Sequence, residues 1–134
     1  MIDLGEYLRR VARNRRRAGV WDCATFPADW VVANGYADPL AAWRGRYDSE
    51  PAALELIASS GGLAAMFAAG LESVGVSKAT DEPRPGDVGV VQFGEQTAGA
   101  VFTGKRWALV ADSGMAFASI ERGNVAAIWR VLNG

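Results

Sequence analysis

The stretch Asp81-Glu82-Pro83-Arg84-Pro85-Gly86-Asp87-Val88 divides this 134-residue chain into two kinds of sequence. Its prolines fix two φ angles and its glycine permits a sharp reversal, so it reads as a rigid turn, with Asp87 closing it through backbone hydrogen bonds. Downstream come short β-type runs at Val88–Phe93, Gly99–Thr103, Arg106–Ala111, Met115–Ile120 and Ala127–Leu132. Gly104-Lys105 and Asp112-Ser113-Gly114 separate three of them at hairpin distance. Upstream the apolar residues recur at helical spacing instead. Asp3 and Glu6 form a capping-box pattern ahead of Leu4, Tyr7, Leu8 and Val11, which predicts a helix to about Arg16 with a stop near Gly19. A second helix is expected from Cys23 or Thr25 to Ala33, with Phe26, Trp30 and Val31 inward and Asn34-Gly35 as its stop. Asp38-Pro39 predicts a short helix through Trp43, and Ser49-Glu50-Pro51 a longer one ending at Ser60-Gly61-Gly62. Leu63, Met66, Phe67, Leu71 and Val74 mark the last. Helices over residues 1–80, then antiparallel strands over 81–134, describe one α+β domain with a single core and a small antiparallel sheet or partial barrel.

Composition narrows the chemistry. The chain has no histidine and one cysteine, so it holds no Ser-His-Asp or Cys-His machinery, no His-ligated zinc and no internal disulfide. No metal or cofactor is expected. The net charge is −1 but unevenly spread. Residues 1–20 carry six arginines against Asp3 and Glu6, a local +4 that leaves −5 for the rest. Arg9, Arg13, Arg16 and Arg17 are therefore candidates for docking onto an acidic partner or a neighbouring copy, with a solvated helix end as the alternative. The acidic body disfavours nucleic acid. The nearly uncharged stretch Leu56–Leu71 is broken by Ser59, Ser60, Gly61 and Gly62 and is too short to span a membrane. Arginines from Arg9 onward interrupt any signal-peptide core, so synthesis in a cytoplasm is expected.

Cys23 stands just before a helix, where a dipole lowers a thiol pKa, yet the chain offers no imidazole to share its proton, and Asp22 opposes thiolate formation. A small buried thiol is the competing reading. Trp43, Arg44, Arg46 and Tyr47 combine the residue types of interface hot spots; equally, Tyr47 belongs to a core and the arginines pair with Asp48 or Glu50. Trp107 and Trp129 read as core.

Several segments together carry a family resemblance. Trp21-Asp22-Cys23-Ala24-Thr25-Phe26-Pro27-Ala28-Asp29-Trp30-Val31 resembles the cysteine-bearing helix start of small phage and prophage proteins, the DUF6950 family, related to the NlpC/P60 cell-wall peptidases. Trp43-Arg44-Gly45-Arg46-Tyr47 resembles a further segment of that family. Arg84-Pro85-Gly86-Asp87-Val88 resembles the turn that opens the first NlpC/P60 strand. Gly114-Met115-Ala116-Phe117 and Ala127-Ile128-Trp129-Arg130-Val131 resemble its closing strands. The resemblance implies a papain-like scaffold with Cys23 at the nucleophile position. Where the related enzymes carry a catalytic histidine, this chain has Thr97 or Ala98. Pro27, four residues after Cys23, also departs from the pattern, so the helix is expected to start late or to kink. The resemblance thus implies a catalytically inactive structural component of a phage tail or tail tip. It would be made in the host cytoplasm and carried in the virion, with other tail proteins or copies of itself as partners. The alternative it implies is a peptidoglycan-directed cysteine peptidase or amidase, using Cys23 with a non-histidine or partner-supplied base.

Overall fold

Asp3 accepts a 2.8 Å hydrogen bond from the Glu6 amide, and this cap starts α1, Leu4–Val11. The computed structural model describes residues 2–132. Three more helices follow: α2 at Thr25–Ala33, α3 at Glu50–Ser59 and α4 at Leu63–Ser73. Ser49 caps α3 through the Ala52 amide, with Pro51 in the first turn, where its missing N–H costs nothing. Six strands follow among the described residues: β1 at Ser77–Ala79, β2 at Val88–Phe93, β3 at Gln96–Phe102, β4 at Trp107–Ala111, β5 at Gly114–Ala118 and β6 at Val125–Arg130. They form one open sheet in the order β1-β6-β2-β3-β4-β5, every pair antiparallel. The expected α+β architecture is present; the sheet is open, not a closed or partial barrel.

Strand alternation sorts side chains to two faces. Val88, Val90, Val101, Ala108, Val110 and Trp129 join the main core with Phe26, Trp30, Val31, Met66 and Phe67 of the helices. Val91, Ala98, Ala100, Trp107, Leu109 and Ile128 form a second cluster on the opposite face. There are thus two apolar clusters where one was expected. Trp107 and Trp129 are both buried but on opposite sides of the sheet. The Trp107 ring lies over Gly89, where a Cβ would come within 2.6 Å of it; only glycine fits beneath the indole. Trp30 donates from its indole nitrogen to the Gly86 carbonyl at 2.9 Å, fastening α2 to the turn that separates the halves. Asp87 closes that turn by accepting from the Arg84 amide, and its carboxylate also receives Arg130.

The structure corrects three local expectations. α1 stops at Val11, not near Arg16, because the Arg17 and Trp21 backbones bond to each other in both directions and turn the chain back. Gly19 takes φ 82° in that turn, against the Tyr47 carbonyl. Residues 39–45 form successive turns rather than the expected helix through Trp43; Asp38 caps the Leu40 amide, but the reversal never propagates. Finally, β1 was not expected: it carries too short a pattern and exists through pairing with β6. No single helix among the described residues is long and apolar enough to cross a membrane.

Candidate functional site

Asp22 organises the approach to α2. Its buried carboxylate accepts from the Gly19, Ala24 and Thr25 amides at 2.8–2.9 Å and from the Tyr47 hydroxyl at 2.7 Å. Its own amide donates to Thr25 Oγ1 at 2.8 Å, a reciprocal cap of the kind that starts helices. Burial pushes this carboxyl up, but bonds from Thr25, Gly19, Tyr47 and Ala24 outweigh burial and hold it below the usual carboxylate range. Helix α2 starts at Thr25, so Pro27 falls in its first turn, where an amide hydrogen is expendable. The late start expected from Pro27 is the observed one.

Cys23 sits within this cap, between Asp22 and the first residues of α2. Facing it is the middle of β3, where Gly99 lies against the Cys23 carbonyl oxygen and the Phe67 ring. A Cβ on Gly99 would come within 2.7 Å of that ring, so glycine sets how closely strand and helix start approach. Burial and the adjacent Asp22 charge push the Cys23 thiol up to about 11, against opposing contributions from Arg16 and the Gly99 backbone. The thiol is therefore protonated at neutral pH. The dipole advantage expected of a helix start is overridden by desolvation.

Strands β3 and β4 pair only at Val101–Ala108 and Phe102–Trp107, then separate. Arg16 fills the gap. Its Nη1 donates to the Val110 carbonyl at 2.9 Å, while Nε and Nη2 hold both oxygens of Glu50 at 3.0 and 2.9 Å. The bidentate bond with Glu50 raises the Arg16 pKa further. Around this pair and Cys23 opens a groove of about 1050 Å³. One wall is α3 and the start of α4, with Ala53, Leu54, Ile57 and Leu63; the other includes Phe93, Glu95, Thr97 and Asp112. Thr97 and Cys23 thus line the same groove, but the Thr97 hydroxyl donates to Gln92 Oε1 at 2.8 Å. Neither Thr97 nor Ala98 can take up and return a proton at neutral pH as an imidazole does.

The remaining candidates are unequally available at the surface. Arg9, Arg13 and Arg17 are exposed, whereas Arg16 is turned inward with only 13% of its side chain accessible. Arg44 binds Asp38 at 2.7 Å and Asp29 at 3.0 Å, not the expected Asp48 or Glu50. Trp43 is half-buried, its indole nitrogen donating to Ser60 at 3.1 Å. Arg46 is exposed, and its guanidinium donates to the Ala42 carbonyl. The Trp43–Tyr47 segment is therefore largely committed to internal contacts. Sequence reasoning missed the Arg16–Glu50 pair and the Tyr47–Asp22 bond; no local signal announces either. Among the described residues, no three His, Cys, Asp or Glu side chains gather into a metal-binding group.

Neither a curated protein nor a solved structure matches the chain. The sequence profile of a domain of unknown function, DUF6950, matches residues 2–131. That match spans nearly the whole domain, from α1 through β6, and the chain belongs to the DUF6950 family.

Proposed function

We propose that this chain is a structural component of a bacteriophage tail or tail tip, built on an NlpC/P60-like scaffold that has lost catalysis. The observation that carries this reading is that Cys23 and Thr97 line one groove, with threonine where the resemblance places the catalytic histidine of the related enzymes. A thiol raised to about 11 has no free proton acceptor beside it, since the adjacent Asp22 carboxylate is taken up by three amides and the Tyr47 hydroxyl, and Arg16 is locked to Glu50 and Val110. Hydrolysis of an amide by a thiol needs both a thiolate and an acid for the leaving amine, and no imidazole lines the groove to serve both steps. The phage and tail assignments rest on the motif resemblance around Trp21–Val31, Trp43–Tyr47 and Arg84–Val88. On this reading the exposed Arg9, Arg13 and Arg17 orient an acidic neighbouring tail protein, and the groove receives an apolar segment.

The test is assembly. Phage lacking this chain should fail to form infectious tails, the protein should co-sediment with purified tails, and phage carrying Cys23→Ala should assemble and infect normally. Infectious tails assembled without the chain overturn the tail reading. Peptidoglycan hydrolysis by the purified protein, abolished in Cys23→Ala, overturns the loss of catalysis and assigns a cysteine peptidase instead.

A further inference from the structure

The sheet ends at β5, which pairs with β4 on one side and, among the described residues, has no strand on the other. The connection between them is two residues, Asp112-Ser113, so the flanking pair Ala111–Gly114 is a hydrogen-bonded pair and such pairs alternate along the ladder. Val110–Met115 and Ala108–Phe117 are then the non-bonded pairs, whose backbone groups point away from each other. Val110 follows this rule, since its carbonyl faces away from β5 and takes Arg16. By the same rule the N–H and C=O groups of Met115 and Phe117 face the open edge. No backbone or side-chain partner meets them among the described residues.

Edge strands are ordinarily shielded by charge, proline, bulges or brevity. Gly114-Met115-Ala116-Phe117-Ala118 has no charge and no proline, and its register with β4 is unbroken. The opposite edge is protected: β1 has three residues and carries exposed Lys78. Phe117 adds a second observation. It is 47% exposed, on the same face as Met115, which packs against the main core.

We propose that β5 is a self-association edge, whose occupant is β5 of a second copy paired antiparallel about a twofold axis at Ala116. In that register Met115 faces Phe117 of the second copy, and the reverse. The two outward-facing residues of each strand then exchange four backbone hydrogen bonds. Each exposed Phe117 ring is covered by the Met115 side chain across from it. No charged residue opposes another within the paired segment, and both partners present the same patch, as a closed twofold interface requires. The register matters, because a slip of one residue would set the outward-facing groups of Met115 and Phe117 opposite residues such as Ala116, whose own backbone groups point inward to β4. This inference is independent of any role in a phage tail.

Sedimentation velocity on the full chain over a concentration series tests it. The wild type should shift with concentration to twice the chain mass. Phe117→Lys, at an exposed position, should stay at the single-chain mass with an unchanged circular dichroism spectrum. In a Cys23→Ala background, Ala116→Cys should cross-link to itself on oxidation, because residues facing each other as a non-bonded pair lie about 4.5 Å apart at Cα. Single-chain mass for the wild type across the series, without cross-linking of Ala116→Cys, overturns the proposal. So does a dimer that Phe117→Lys leaves intact and Ala116→Cys does not cross-link. If Phe117→Lys unfolds, the cross-link decides alone.

Discussion

The Tyr47 hydroxyl donates to Asp22 Oδ2 at 2.7 Å, closing a loop of 25 residues onto the start of α2. One carboxylate thereby joins the Gly19 turn, the helix cap and the segment that leads into α3. The Asp22 charge shapes the site through this bonding as well as through its repulsion of a Cys23 thiolate.

Removing the hydroxyl with Tyr47→Phe should cost about 1.5 kcal/mol, the low end for a hydrogen bond to a charged group, because Asp22 keeps three amide donors. The expected result is a lower urea midpoint with an unchanged m value. No change in midpoint would show that the bond holds nothing together.

The Asp22 carboxyl also sets an acid dependence. Its folded-state pKa lies below the unfolded value, so its stabilisation is fully present above about pH 4 and is lost as pH falls through the folded value. Urea midpoints of the wild type should fall over that acid range more steeply than those of Asp22→Asn. Parallel slopes would remove Asp22 from the account.

Cys23 gives the opposite sign at the other end of the scale. Its thiol is raised from 9.0 to about 11 in the fold. Its contribution is therefore complete below the ordinary value and lost as pH climbs through about 11. Cys23→Ala should flatten that alkaline decline. At pH 7 the folded thiol should alkylate with iodoacetamide about a hundredfold more slowly than in urea-unfolded protein, following the thiolate fraction. Equal rates would mean a thiol far more reactive than its surroundings allow.

Arg16 is expected to be structural. Arg16→Ala leaves the Val110 carbonyl and Glu50 without their donor and should destabilise by about 1–3 kcal/mol. Arg16→Lys should recover little, since one ammonium cannot reproduce a bidentate pair plus a third bond. Thermal unfolding of both variants checks this, and full rescue by lysine would reduce the pair to a simple charge contact.

Gly99→Ala should be the most damaging single methyl in the site. Its Cβ meets the Cys23 carbonyl and the Phe67 ring, and relief requires β3 to move from α2. An overpacking cost of about 1–3 kcal/mol is expected, together with faster alkylation of Cys23 as its cover loosens. A stable variant with an unchanged thiol would show that strand and helix start are not held in contact.

What the sequence by itself determined was local. Asp3 with Glu6, Thr25 after Asp22, and Ser49 before Pro51 each carry a helix start within a few residues, because a cap is satisfied by its own neighbours. The Val88–Phe93 boundaries and a hairpin turn at Asp112-Ser113-Gly114 were equally legible, through alternation and turn chemistry, although Gly114 belongs to β5 and pairs with Ala111. Cys23 as a candidate position and the absence of an imidazole partner were legible too. Tertiary structure decided the rest. α1 ended early because Arg17 and Trp21 pair across a turn, and the expected helix after Asp38 gave way to turns that bring Arg44 onto Asp29 and Asp38. β1 exists only beside β6. Whether an arginine is free or spent, and whether a thiol is charged, depends on burial and on partners as distant in sequence as Arg16 is from Val110. Such partners are chosen when the sheet closes on the helices, and no window of adjacent residues contains them.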